Sequence, residues 1–181
     1  MPQQMEKVFS GVIYDIYQWE QELYDGSLAI FEKAKRKYST VVIALVGDKI
    51  VLTKQEQPSK PSFLGLIGGR MDVEGEIPLA NAKRELLEEA GMRSDNIVLV
   101  GTFVNEYQMD YKCYVFVAHD CQKVQEVELD AGERIEIELI TQEKFFELLS
   151  ADILQESRVL KTLFKNELSN ECKERIQGFL Q

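Results

Sequence analysis

Two hydrophobic rhythms run along the chain. Strand-like apolar runs fill the first 67 residues and return over 96–140, while a helical spacing marks 78–90 and everything after 140. Val8, Val12, Ile13, Ile16 and Tyr17 suggest a strand. Trp19 to Gly26 suggests a turn or a second short strand, with Asp25-Gly26 as a hairpin signal. Ser27 to Ala34 predicts another strand. Tyr38 to Val46 (YSTVVIALV) is continuous and β-branched, as expected of a strand buried on both faces. Gly47-Asp48 predicts a two-residue turn into Lys49–Lys54, and the two prolines of Gln55–Ser62 (QEQPSKPS) predict a loop. Phe63–Ile67 is a short strand. Asn96–Val104 and Tyr111–His119 are two more, joined by a polar turn around Gln108–Asp110. Gln122–Gly132 is an acidic loop, and Arg134–Ile140 alternates as a half-buried strand. Thr141 can cap a helix running to Leu149. Val159, Leu160, Leu163 and Phe164 place a helix over Ile153–Phe164, and Leu168–Phe179 predicts a last short one. An α/β fold with a mixed sheet between helices covers both faces of such strands.

The best-bounded element is the helix after the glycine turn Gly68-Gly69. Pro78 suits a first helical turn, where its missing N–H costs nothing, and Gly91 suits the left-handed position just past the end. Leu79, Ala82, Leu86, Leu87 and Ala90 form one stripe at roughly 100° per residue. Glu85, Glu88 and Glu89 lie off that stripe, one turn apart. Like charges at this spacing cost about 0.2–0.5 kcal/mol per pair, and acids near a helix C-terminus oppose its dipole. Arg84 can offset Glu88, four residues on, leaving Glu85 and Glu89 with no evident local partner. A solvated acidic face is one reading. With the glycine turn and the acidic loop alongside, a hard divalent cation held by carboxylates and backbone carbonyls is the reading adopted.

Composition narrows the possibilities. The 181 residues suffice for one domain with a sizeable core and leave room for a short appendage, and 45% are hydrophobic. A net charge of −10 and a pI near 4.7 argue against a broad surface for nucleic-acid phosphates, so no nucleic-acid partner is expected. The start, MPQQMEKVFSGV, lacks the pattern of a secretory signal, and the longest apolar run, Val41–Val46, is too short for a bilayer. A cytoplasmic protein without a membrane partner is expected. Cys113, Cys121 and Cys172, odd in number and without a CxxC pair, read as reduced packing thiols. His119, the single histidine, reads as a structural or surface residue and not as a base.

Glu76, seven residues, then Arg84-Glu85-Leu86-Leu87-Glu88-Glu89-Ala90-Gly91-Met92 resembles the Nudix box of the Nudix hydrolases. The family pattern is Gly, five residues, Glu, seven residues, Arg-Glu-apolar-any-Glu-Glu-any-Gly-apolar. The match is complete from Glu76 onward; before it, six residues rather than five separate Gly69 from Glu76, the extra one within Arg70–Gly75. The order of elements resembles the Nudix fold over nearly the whole chain. The N-terminal β arm, the QEQP segment, the DAGERIEIELI stretch and ADILQESRVLKTL resemble the ADP-ribose pyrophosphatase-like branch. Where that branch carries an arginine after the glutamine of the QEQP segment, this chain has Glu56 and Gln57.

The resemblance implies an N-terminal β arm over 1–37, used for homodimerisation and substrate contacts, and a Nudix domain over 38–181. It implies Glu85, Glu89 and Glu88 as ligands of Mg²⁺ or Mn²⁺, the Gly68 carbonyl as a further ligand, and Arg84 as the group that orients the glutamates. Glu76 and Gly69 support them. A carboxylate from outside the box is expected to serve as ligand or base; Glu133 matches, with Glu126, Glu128 and Asp130 in reserve. Arg36, in the basic run Lys33–Lys37, is read either as a solvated strand end or as a phosphate contact. With Gln57 and Arg70 it makes up the expected substrate-binding set. Tyr14, Tyr17, Trp19 and Phe31 could stack a base, or serve as core and dimer contacts. The implied activity is hydrolysis of a nucleoside diphosphate linked to another group, ADP-ribose or a nucleotide sugar first. A nucleoside triphosphate or dinucleoside polyphosphate hydrolase, and a nucleotide-binding module without turnover, are the alternatives.

Overall fold

A computed structural model describes residues 5–58, 60–128, 132, 134–164 and 177–180. The chain divides into two compact units, residues 1–38 with 104–112 and residues 39–103 with 113–181.

The first unit is an antiparallel meander. β1 (Glu6–Ser10) pairs with β2 (Tyr14–Glu22), which pairs with β3 (Leu28–Arg36) in unbroken register from Tyr14↔Arg36 to Glu22↔Leu28. The expected break after Tyr17 is absent: β2 runs straight through Trp19, whose ring lies 6.0 Å from the cross-strand Phe31. That aromatic pair stabilises the ladder where local propensity was ambiguous. The Asp25-Gly26 hairpin forms, with Gly26 at φ +82 and Asp25 accepting from the Ser27 N–H and hydroxyl. Ala34 and Lys35 pair in parallel with Met109 and Asp110.

The second unit contains β4 (Ser39–Val46), β5 (Lys49–Gln57), β6 (Lys60–Gly65), α1 (Pro78–Ala90), β7 (Met92–Arg93), β8 (Asn96–Asn105), β9 (Met109–His119), β10 (Gln122–Lys123), β11 (Arg134–Ile140), α2 (Gln142–Ser150) and α3 (Ser157–Leu163); β8 and β9 each have one end in the first unit. Its sheet is mixed. β9 lies parallel to β4 from Ser39↔Cys113 to Ala44↔Ala118, β4 is antiparallel to β5, and β5 is antiparallel to β11. β8 joins β9, and β6 joins β5. The two-residue pair β7–β10 stands apart.

Both faces of β4 are buried. Val42 and Ala44 pack with Ala82, Leu86 and Ala90 of α1 and with Phe116 and Ala118 of β9. Val41, Ile43 and Leu45 alternate to the other face and are also buried. α2 packs against β5 and contributes buried Phe145, Phe146, Leu148 and Leu149. Its cap is as expected: the Thr141 hydroxyl accepts from the Lys144 N–H at 3.2 Å.

Several elements differ from the sequence expectation. The QEQPSKPS stretch is no open loop, because β5 continues to Gln57 and the chain turns back at once into β6. Pro61 is tolerated because, among the named strands, β6 pairs with β5 alone and its bridge to Leu154 lies further on at Leu64, so an edge position absorbs the missing donor. The helix expected from Ile153 starts only at Ser157; Leu154 instead forms a bridge to Leu64, and Gln155 N–H donates to the Leu64 carbonyl. β9 already includes Met109 and Asp110, so the turn lies earlier than expected. Most of the helix expected over Leu168–Phe179 lies outside the described residues, as does Cys172; Gln177–Phe179 is helical. Cys113 and Cys121 are buried free thiols.

Candidate functional site

The site is built where β6 ends and α1 begins. Ile67 bridges to Val42 of the buried strand, and the next residue, Gly68, has φ +155. A Cβ there would lie 2.2 Å from the Thr40 carbonyl oxygen, so only glycine fits so close to β4. The Thr40 N–H donates to the Gly69 carbonyl at 3.0 Å. Beyond it, the chain loops out and turns at Val73–Glu76, with Gly75 at φ +76 and the Glu76 N–H donating to Val73 O. The turn is exposed, and the glycines before it lie against β4.

α1 then starts at Pro78 and stops at Gly91, φ +63, as the sequence predicts. Gly91 also carries a close approach: a Cβ would meet the Gln125 carbonyl at 2.1 Å. Through it the segment after β10 is strapped to the helix end, with Val124 N–H on Gly91 O and Glu128 N–H on Glu88 O.

Glu85 and Glu89, one turn apart on α1, are both buried, at 8% exposure each, against the glycine turn. Glu89 accepts from the Gly68 N–H at 2.9 Å. Glu85 lies under Gly69, where a Cβ would be 2.5 Å from its carboxylate. The two are therefore not without local partners, as the helix pattern alone suggested. Arg84 donates to Glu88 Oε2 at 2.6 Å and to Glu76 Oε1 at 3.1 Å, forms an ion pair with Glu85 Oε1 at 2.7 Å, and its Nη2 also reaches the Arg70 carbonyl. Three carboxylates around one guanidinium leave excess negative charge. Burial pushes the Glu85 carboxyl up to about 7, against the opposing pull of Arg84 and with the repulsion of Glu88.

Asn81, which the sequence reading passed over, is fully buried within this network. Its only sequence signal is an amide one position before Ala82 of the apolar stripe. Thr40 is a second omission: its hydroxyl donates to Asn81 Oδ1 at 2.6 Å.

Arg70 pairs through Nε with Asp72 at 3.3 Å. Gln57 sits at the end of β5, opposite Lys60. Arg36 belongs to the first unit, where its guanidinium lies 4.5 Å from the Tyr111 ring centroid and 5.9 Å from that of Tyr14, with a buried Nε that has no hydrogen-bond partner. Glu133 and Asp130 lie outside the described residues. Glu126 bonds to Lys123, and Glu128 to Gln125.

The donor chemistry suits a hard divalent cation: buried carboxylates in excess over their guanidinium, next to a turn whose glycines leave the carboxylates room. Among the described residues no three acidic, histidine or cysteine side chains converge as a ready cage. Glu85 and Glu89 instead turn to Arg84 and the Gly68 N–H, so an ion would have to draw them from those partners.

The sequence profile of the NUDIX domain matches residues 35–163. The chain belongs to the Nudix hydrolase family. This Nudix hydrolase is 29% identical over 150 residues to the ADP-ribose pyrophosphatase of Bacillus subtilis (strain 168), covering 81% of this chain and 80% of that one. A crystal structure described as an ADP compounds hydrolase superposes with a TM-score of 0.75 at 20% identity, over 97% of this chain and 93% of the other, a likeness of fold. Among the described residues no helix of this Nudix hydrolase is long and apolar enough to cross a membrane.

Proposed function

We propose that this Nudix hydrolase is a divalent-metal-dependent pyrophosphohydrolase of a nucleoside diphosphate linked to a second group, ADP-ribose or a nucleotide sugar. The observation that carries the reading is the pair Glu85 and Glu89, one turn apart, buried and directed at the glycine turn. The name of the Bacillus subtilis relative supports the substrate class.

Hydrolysis joins the oxygen of water to one phosphorus and breaks the bridging P–O bond. The products are a nucleoside monophosphate and a phosphorylated second group. Glu85 and Glu89, with Glu88 and the Gly68 carbonyl, are assigned to hold Mg²⁺ or Mn²⁺, which when bound neutralises charge on the diphosphate and acidifies water. Arg84 keeps the carboxylates apart and aimed, through the bonds to Glu76, Glu85 and Glu88. Glu133 is assigned to take the proton from the attacking water. Arg36, Gln57 and Arg70 are assigned to the substrate; the guanidinium charge of Arg36 in the basic run Lys33–Lys37 supports its part. Residues 1–37 are assigned to a homodimer contact, supported by exposed Phe9, Val12, Ile13 and Ile30 on the first unit.

The test is product analysis with Mg²⁺ and Mn²⁺ across ADP-ribose, GDP-mannose, UDP-glucose, NADH, a dinucleoside polyphosphate and the nucleoside triphosphates. Selective release of nucleoside monophosphate plus a sugar phosphate is the expected result, and Glu89→Gln is expected to abolish it while the protein stays folded. Full turnover by Glu89→Gln removes the site assignment; preference for a triphosphate removes the substrate class.

A further inference from the structure

A fully buried asparagine in a helix costs stability unless its amide is satisfied. The surroundings of Asn81 orient that amide. On one side is the Thr40 hydroxyl, 2.6 Å from Oδ1. On the other, three acceptors surround Nδ2: Glu76 Oε2 at 3.0 Å, the Arg70 carbonyl at 3.1 Å and Glu85 Oε1 at 3.5 Å. Two amide protons thus serve three oxygens, and every oxygen belongs to the site or to its loop. Arg70 and Glu76 are the two ends of the loop between the glycine turn and α1. Thr40, which orients Asn81, also holds the Gly69 carbonyl through its own N–H.

We propose that Asn81 is a positioning residue of the hydrolytic site: its amide, aligned by Thr40, fixes the Glu85 carboxylate and both ends of the 70–76 loop. The glycine turn and the helix carboxylates are thereby kept in register. Glu85 Oε1 thus meets the charged Arg84 at 2.7 Å and, at 3.5 Å, a neutral amide that adds no charge to the cation's surroundings. This rests on the assignment of Glu85 as a cation ligand.

The test measures Mn²⁺ affinity of the metal-free protein by electron paramagnetic resonance, with melting temperature as a fold control. Steady-state hydrolysis of ADP-ribose, or whichever panel compound is turned over, is measured as Mg²⁺ is varied. Asn81→Ala is expected to bind Mn²⁺ about tenfold more weakly, the low end for loss of a group supporting a metal ligand. It should lower kcat and raise the Mg²⁺ midpoint, with KM for the nucleotide changed less than about twofold, because Asn81 acts on the carboxylate rather than the substrate. Thr40→Val removes only the hydroxyl that aligns the amide, and is expected to weaken Mn²⁺ in the same direction. It carries the test if Asn81→Ala does not fold. A purely structural Asn81 would lower the melting temperature and leave Mn²⁺ affinity and the Mg²⁺ midpoint unmoved, which overturns the proposal. Glu85→Gln is the control: if it binds Mn²⁺ like the wild type, the assignment of Glu85 itself fails.

Discussion

Replacing Glu156 by glutamine is expected to change how stability depends on pH. Glu156 immediately precedes α3 and accepts from the Leu66 N–H at 3.0 Å. Its other oxygen faces Gly65, where a Cβ would stand 3.3 Å away. Burial pushes its carboxyl up to about 7 from 4.5, although the Leu66 N–H, its own backbone N–H and the charge of Lys60 oppose the shift. A rise of roughly 2.5 units is worth about 3 kcal/mol at ~1.36 kcal/mol per unit. The folded protein holds this proton more tightly than the unfolded chain. The stability it contributes is therefore fully present below about pH 4.5 and is lost as pH rises through about 7. Glutamine keeps an oxygen for the Leu66 N–H and cannot ionise. Urea unfolding of both proteins at several values between about pH 5 and about pH 8 should show a small difference at the acid end, widening to about 3 kcal/mol in favour of the variant at the alkaline end. Glu85, also pushed up to about 7, is present in both proteins and cancels in the difference. A gap independent of pH would refute the reasoning, because it would mean that Glu156 does not titrate in this range.

Further outcomes follow from the turn and the first unit. Gly68→Ala should cost about 1–3 kcal/mol for the backbone conformation alone. It should cost more because the new Cβ meets the Thr40 carbonyl, and the melting temperature should fall together with activity. Arg36→Ala should raise KM for the diphosphate substrate about ten- to a hundredfold, the worth of a charged hydrogen bond at about 1.5–3 kcal/mol, while kcat changes little. An unchanged KM would assign Arg36 to the stack with Tyr14 and Tyr111 alone.

What could be read from the sequence depended on how local its cause was. Pro78 and Gly91 act through their own backbone preferences, so the limits of α1 match the structure to the residue. β4 was legible because β-branched residues without interruption suit a strand buried on both faces. The β5–β6 hairpin was not, because two prolines look like a loop until the strand that carries one of them is known to be an edge. The β7–β10 pair has no pattern of its own; it exists because Gly91 lets the 122–128 segment close over the helix end. Within the site, the glutamates were visible as an unfavourable cluster. Their actual partners were not: Arg84 reaches three acids at once, and the Gly68 N–H lies 21 residues upstream of Glu89. Asn81 and Glu156 stayed hidden for one reason. A polar residue in or beside a helix looks like surface unless the partners that bury it, Thr40 and Leu66, are already in place.

The anchoring of the 70–76 loop at both ends separates its length from its chemistry. Between the Arg70 carbonyl and the Glu76 carboxylate, both held by Asn81, the tip at Val73–Gly75 stands exposed. Sequence added or removed there spends its slack in solvent, since a longer closed loop costs only about 0.6 kcal/mol per doubling. The tip is thus a port: a fluorophore on a cysteine at position 74, or a short inserted epitope, would report on changes at the glycine turn and the α1 carboxylates while the groups beneath it keep their places.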